Sequence, residues 1–357
     1  MRRTLIPWML LASITIMASS CSDGSKSVEP EPHSDTSSSP SEQEETSSPS
    51  SCTPETISTQ QFLMAFNACP VGNCGPQDHT VHLAGSDDGL EWTLLTAFSR
   101  GHGGSVPDIV RYNGDLFLFH TRGNTDHTWD RLDDCLQVVE QGVVAISGGD
   151  EGDRGWVDPS LVVDGDDLVL FYLPGIKGAD PAACAPEEDT CERNIHSARA
   201  NSASFPTFTV VTGDRVNVTI GKPPTELRGF SDPDILPLAD GTFLLNISSG
   251  GNTLVYTGTE LDGPFVSPTS DGSLLWASKH QGGVPTAIQE MNNLDVWLYV
   301  HGRNSDGAWE IRRAVSNGRT ELDAQAFEVV IDASIFGHDN SRNVQGVFSP
   351  SIIYWSQ

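Results

Sequence analysis

Short apolar runs separated by polar turns follow one another along most of the chain. Tyr112-Asn113-Gly114-Asp115-Leu116-Phe117-Leu118-Phe119 carries a turn between two such runs. So do Val163-Asp164-Gly165-Asp166-Asp167-Leu168-Val169-Leu170-Phe171 and Ala239-Asp240-Gly241-Thr242-Phe243-Leu244-Leu245. Asn-Gly and Asp-Gly between apolar runs predict β-hairpins, because both residues tolerate positive φ. Ahead of each hairpin stands a short repeat: a proline, one small or acidic residue, then two aliphatics. It reads Val106-Pro107-Asp108-Ile109-Val110, Asp158-Pro159-Ser160-Leu161-Val162, Asp232-Pro233-Asp234-Ile235-Leu236, Val284-Pro285-Thr286-Ala287-Ile288 and Ser349-Pro350-Ser351-Ile352-Ile353. The prolines lie 52, 74, 52 and 65 residues apart. Repeats of that length signal an array of similar units. Five hairpin-led units predict an all-β fold, a five-bladed β-propeller over residues 56–357.

The last repeat runs into the chain end, leaving one strand with too few residues to complete a blade. Gln61–Phe66, Thr80–Ala84 and Trp92–Leu95 read as its second, third and fourth strands. The final blade is therefore expected to be closed by strands from both chain ends, which removes exposed sheet edges. Before the fourth of these strands, Ser86-Asp87-Asp88-Gly89-Leu90-Glu91-Trp92 resembles the Asp-box turn of propeller proteins, with looser copies at Ser316-Asn317-Gly318 and Asp262-Gly263-Pro264-Phe265. This is a structural signature: the Asp caps its turn, the Gly takes positive φ and the aromatic residue packs between blades.

The first residues have another character. Arg2 and Arg3 precede an apolar run from Leu5 to Met17, then Ala18-Ser19-Ser20-Cys21. The run is short for a membrane span and ends in small residues, so residues 1–20 read as a signal peptide. Ending on Cys21, it resembles the lipobox of bacterial lipoproteins, which implies lipidation of that cysteine. Residues 21–55 are rich in Ser, Pro and Glu with few apolar positions, a tether that cannot bury enough surface to fold. Ser22 after the cysteine points, by the same resemblance, to the outer membrane of the cell envelope, with membrane contact through the lipid only.

A net charge of −28 excludes a general nucleic-acid surface, for which a basic stripe would be needed. Beyond Cys21 there are six cysteines. Cys69/Cys74 and Cys184/Cys191 are close in sequence and sit in polar loops, so each pair is expected as a disulfide. Cys52 and Cys135 remain as a third pair. No cysteine pair has histidines at zinc-ligand spacing.

Reading the repeats in columns exposes the candidate chemistry. The residue before each proline is Val106, Asp158, Asp232, Val284 or Ser349. Five residues before each proline stand His102, Arg154, Arg228, His280 and Gln345. Loops entering the innermost strands of a propeller converge at the channel mouth, so these residues are the expected site. Asp158 and Asp232 are the candidate acid and base, or equally structural Asp-Pro turns paired with their own arginines. Arg154 and Arg228 suit an acidic sugar, because a guanidinium fork matches a carboxylate or sulfate. His120 and His301 read as core or rim residues, and Glu290 lies on the far side.

At these positions the chain resembles the five-bladed propeller glycoside hydrolases, the superfamily of arabinanases, xylosidases, invertases and levansucrases. Ser231-Asp232-Pro233-Asp234-Ile235, with Arg228 upstream, is similar to that family's transition-state stabiliser motif, and Asp158-Pro159 to a second such position. The resemblance implies a carbohydrate partner and a monomer. It calls for no cofactor and leaves room for a structural calcium ion in the central channel. Where the family places an acidic Glu, this chain has Gly282-Gly283-Val284-Pro285, so the usual triad is incomplete. Three readings stay open: a glycoside hydrolase, a non-catalytic carbohydrate-binding protein, and a protein-binding scaffold.

Overall fold

The computed structural model describes residues 60–100, 104–122, 126–149, 155–175, 184, 188–221, 229–268, 274–277, 282–316 and 327–355. Contacts divide the chain into units of 1–50 and 51–357, and every described residue lies in the second.

The described chain is almost entirely β. β1 (Phe62–Pro70), β2 (Thr80–Ser86) and β3 (Thr93–Arg100) form a meander. β4 (Gly104–Tyr112), β5 (Asp115–Arg122), β6 (Asp126–Leu132) and β7 (Val138–Val143) make a four-stranded sheet in sequence order. The short β8 (Ala145–Ser147) crosses over to lie parallel to β12 (Thr207–Gly221). With β9 (Trp156–Asp164), β10 (Asp167–Pro174) and β11 (Thr190–Asn201), these complete the next sheet. β13 (Ser231–Pro237), β14 (Phe243–Ser249), β15 (Asn252–Gly258) and β16 (Leu274–Ala277) follow as another meander. β17 (Gly283–Gln289), β18 (Val296–Arg303), β19 (Trp309–Ser316) and β20 (Glu328–Ile331) form the last, before β21 (Val344–Tyr354).

β21 pairs antiparallel with β1, from Phe62↔Tyr354 to Pro70↔Val344, so the C-terminal strand heads the N-terminal meander. A single parallel bridge, Trp309↔Gly346, joins that sheet to β17–β20. The predicted hairpins are in place. Asn113 and Gly114 have φ of 52° and 86°, as a two-residue turn between β4 and β5 requires.

The strands that begin with the proline repeats pack against one another in cyclic order: β4 on β9, β9 on β13, β13 on β17, β17 on β21, and β21 on β4. Apolar side chains gather between successive sheets. Leu63 and Leu83 meet Ile109 and Leu118; Phe117 and Trp129 meet Leu168 and Phe208; Phe171 and Ile195 meet Ile247 and Tyr256. Leu244 and Val255 meet Leu298 and Val300, and Tyr299 and Ile311 meet Phe62 and Met64. Burying whole aliphatic and aromatic side chains this way contributes roughly 1.5–3 kcal/mol each.

The turn at Ser86–Trp92 caps itself as its sequence predicts. Asp88 Oδ1 accepts the N–H groups of Leu90 and Glu91, Gly89 has φ of 71°, and Trp92 stacks edge-on against Tyr299 across the sheet boundary. The looser copy at Asp262 differs. Gly263 has φ of 69° and Phe265 is buried, but the Asp262 carboxylate binds the Arg199 guanidinium at 2.9 Å instead of capping the turn. The copy at Ser316 extends beyond the described residues. Disulfides join Cys69 to Cys74 and Cys184 to Cys191. Cys135 is also disulfide-bonded, while Cys52 lies outside the described residues.

Candidate functional site

The column before the prolines has one backbone conformation. Val106, Asp158, Asp232, Val284 and Ser349 have φ of 46°, 58°, 48°, 47° and 51°. Left-handed backbone costs an L-residue about 1–2 kcal/mol, and β-branched residues rarely adopt it. The proline that follows each of them also disfavours the right-handed helical region there. At each of these places the inner strand slips register against its neighbour, as between Ser231 and Pro233 or Ser105 and Asp108. The slip is a bulge, which re-aims a side chain at the end of a strand. Five bulges thus ring the end of the channel at which the inner strands begin.

Two neighbouring members of the ring are carboxylates, and the fold brings them together. The backbone N–H of Asp232 donates to Asp158 Oδ2 at 3.2 Å. Ser231 Oγ donates to Asp232 Oδ2 at 2.6 Å. Asp232 keeps partial solvent contact at the mouth, yet enough protein surrounds it that desolvation pushes its carboxyl up to about 6, against the Ser231 hydrogen bond.

Of the other expected site residues, Gln345 is exposed at the start of β21. His102, Arg154, Arg228 and His280 lie outside the described residues. Of the two histidines read as core or rim, His120 is buried and His301 half-buried. His120 Nε2 lies 3.1 Å from Asp130 Oδ2, and His301 Nδ1 accepts the Ser349 N–H at 3.2 Å. Desolvation lowers His301 to about 3, so it is a neutral acceptor there. Glu290 is exposed and accepts the N–H groups of Asn292 and Asn293 in its own turn, away from the mouth.

The sequence reading passed over a second polar group beside the mouth. His79 Nδ1 is 2.9 Å from Ser105 Oγ, and Asn67 Nδ2 donates to the Gly104 carbonyl at 3.3 Å. Desolvation lowers the His79 pKa. Ser105 immediately precedes Val106, so this group belongs to the side of the ring that carries no carboxylate.

It also passed over the column after the prolines: Asp108, Ser160, Asp234, Thr286 and Ser351. Their side chains link four of the five neighbouring pairs of inner strands. Ser351 Oγ accepts the Ile109 N–H at 3.1 Å, Asp108 Oδ2 the Leu161 N–H at 2.6 Å, and Ser160 Oγ the Ile235 N–H at 3.2 Å. Asp234 accepts the Ala287 N–H and a bond from Thr286. Every member is a carboxylate or hydroxyl amid aliphatics, and that uniform polarity was the available signal. Desolvation raises Asp108 and Asp234 to about 7 each.

These five residues form a waist. Toward the bulges the passage narrows to a space of about 20 Å³. Beyond the waist it opens into a cavity of about 450 Å³ with aliphatic walls. This cavity is therefore at the far end from Asp158 and Asp232. The waist suits calcium poorly. Its donors are the hard oxygens calcium takes, but calcium needs six to eight of them. The carboxylates here already accept Ser351, Leu161, Asn246, Thr286 and Ala287, and no three acidic, histidine or cysteine ligands converge there among the described residues. Cys184, Glu188 and Cys191 do converge elsewhere, but both sulfurs are in a disulfide.

No protein-family model matches the chain, and no curated protein matches it by sequence. Solved structures do. A Bacillus subtilis levansucrase in complex with oligosaccharides aligns with a TM-score of 0.53 at 12% identity, over 77% of this chain and 85% of that one. A second Bacillus subtilis levansucrase variant aligns with 0.51 at 12% identity, over 77% and 89%. An α-L-arabinofuranosidase from Clostridium thermocellum aligns at 16% identity over 64% and 72%, with a TM-score of 0.47. At such identities the likeness is one of fold, and it is the fold of the levansucrases that the chain shares.

Proposed function

We propose that this chain is a five-bladed β-propeller that acts on a polysaccharide or oligosaccharide at its bulge-ringed mouth. The observation that carries the reading is the Asp158–Asp232 pair: two carboxylates on neighbouring inner strands, tied by the Asp232 N–H. The cyclic packing of β4, β9, β13, β17 and β21, and the pairing of β21 with β1, support the blade count and the closure by both ends.

Glycoside hydrolysis needs one group that holds a proton and one that is ionised. The two aspartates sit in unlike surroundings. Asp232 is desolvated and holds its proton to about pH 6, whereas Asp158 turns an oxygen to a backbone amide. Desolvation favours the protonated form of Asp232, which suits it to the proton-holding role. The left-handed backbone at both residues is strain stored where the side chains must be aimed.

Binding without turnover is the second reading. It is favoured by the rest of the ring, where Val106, Val284 and Ser349 offer no further carboxylate. Incubating the protein with plant and algal polysaccharides and measuring reducing ends separates the two. Saturable binding with no sugar released selects the binding protein, and neither signal removes the carbohydrate reading.

An acidic sugar is the substrate class we favour, on the strength of Arg154 and Arg228. Arg228→Lys should weaken a uronate or sulfated ligand far more than a neutral one, because lysine cannot form the bidentate fork. Equal weakening of both would remove the acidic-sugar assignment. We place the protein on the bacterial envelope through a lipid at Cys21, after a signal peptide of residues 1–20, with residues 21–55 as the spacer. Metabolic labelling with a fatty-acid analogue, lost in Cys21→Ala, is the expected result.

A further inference from the structure

We propose that the two-stranded extension of residues 190–195 and 216–221, stapled by the Cys184–Cys191 disulfide, is a positioning element for the Asp158–Asp232 pair. β10 meets β11 only from Asp167↔Asn201 to Tyr172↔His196. β11 and β12 run on together without it, from Ile195↔Val216 to Thr190↔Gly221. The end they run past is the one where β10 closes on β9, at Leu173↔Val157 and Pro174↔Trp156. The extension therefore projects from its sheet on the side of the carboxylates. Elsewhere among the described residues the third strand of a sheet begins opposite the end of the second: Asp126 faces Arg122, Asn252 faces Ser249, Trp309 faces Arg303 and Thr80 faces Ala68.

An isolated two-stranded ribbon is marginal in water, so this one needs a packed face. The register puts Cys191, Arg193 and Ile195 on one face with Ile220, Val218 and Val216. Ile195, Val216 and Ile220 are buried in one apolar cluster with Phe230, and Val157, Cys184, Cys191 and Val218 pack against it. Arg193, the charged side chain on that face, donates to the Glu192 carbonyl at 2.8 Å. Val157 is the residue before Asp158, and Phe230 stands two before Asp232. The extension thus shares its core with the segments that enter both carboxylate-bearing bulges, and its sequence-local disulfide fixes its own start. Loosening it would admit water beside Asp232, whose carboxyl is raised chiefly by desolvation. The role rests on the reading of Asp158 and Asp232 as the working pair.

Cys184→Ser combined with Cys191→Ser, made in the full chain, tests it. The control is Cys69→Ser with Cys74→Ser, which opens a loop of similar span on β1, a separation of 5 residues against 7. Both should lower the melting temperature to a similar degree, because loops of similar length restrain the unfolded chain similarly. Carboxyl titrations, followed by carbon-13 NMR of aspartate-labelled protein, separate them. Without the Cys184–Cys191 bridge Asp232 should titrate about one pH unit lower, while Asp108, held by Leu161 and Ser351, stays where it is. The control should move neither. Val218→Ala, which thins the packed face and keeps the bridge, should shift Asp232 in the same direction and serves if the serine variant does not fold. An Asp232 titration unmoved by these changes, or moved equally by the control, makes the extension merely structural and overturns the proposal. If the wild type releases sugar, kcat should fall about tenfold or more in the Cys184/Cys191 variant with KM little changed, and not in the control. A wild type that releases none removes the hydrolase reading and leaves the titration to decide the positioning.

Discussion

Leu161 donates its backbone N–H to Asp108 Oδ2 at 2.6 Å, across the boundary between two neighbouring inner strands. The same carboxylate accepts the Ser351 hydroxyl at 2.5 Å on its other oxygen, so Asp108 bridges both adjoining strands at once. The bridge sits in a desolvated waist, and burial pushes Asp108 up to about 7.

That position gives stability a definite pH dependence. A carboxyl near 3.8 when unfolded and about 7 when folded binds more protons in the folded state between those values. Its contribution is therefore intact below about pH 4 and is lost as pH rises toward 7, with no further change above. Asp234 acts in the same sense. Asp108→Asn should retain an acceptor for Leu161 and remove the ionisation. Denaturant unfolding at pH 5 and pH 8 should show a smaller loss of stability in the variant, by about 2–4 kcal/mol. An equal loss in both proteins would mean that Asp108 stays ionised in the fold.

The strain in the ring can be relieved where no carboxylate is needed. Val284 has φ of 47° and is only half-buried. Asparagine tolerates this backbone better than any β-branched residue. Val284→Asn should stabilise by about 1 kcal/mol, seen as a higher denaturant midpoint with an unchanged slope. A lower midpoint would show that the valine methyls hold the bulge in place.

Much of the framework was legible in the chain. The proline repeats mark the inner strands, the Asn-Gly and Asp-Gly turns mark the hairpins, and the lone last repeat points to its pairing with the N-terminal meander, because each feature is local. What was not legible depends on contacts between sheets. Pro107 and Asp108 are neighbours in sequence, but the partners of Asp108 are 53 and 243 residues away. The Asn67–His79–Ser105 group likewise joins β1, the residue before β2, and β4, and its residues share no repeat position. Asp158 and Asp232 were found because they share a column, although the hydrogen bond between them spans 74 residues.

The shared sheet makes truncation informative. β21 pairs with β1 along nearly its whole length and also packs on β4 and β17. Deleting residues 349–357 removes Ile352 and the ring residue Ser349 together with half of that pairing. The truncated protein should lose its cooperative thermal transition. An unchanged melting temperature would mean that β21 is dispensable and that the ring does not depend on its closure.

The carboxylate pair supports the most direct test of function. Asp232→Asn keeps the size of the side chain and an oxygen for the Ser231 hydroxyl, and it leaves the backbone N–H to Asp158 untouched. Sugar binding should persist while turnover falls by about 100-fold or more, the scale of losing a positioned acid–base group. The pH profile adds an independent readout. If Asp232 must hold a proton, the wild-type rate should fall as pH rises through about 6. If it must be ionised, the rate should fall as pH drops through the same value. In the asparagine variant that limb should disappear from whatever rate remains, because the titrating group is gone. A limb near 6 that survives the substitution would assign the titration to another group and take the proton-carrying role away from Asp232.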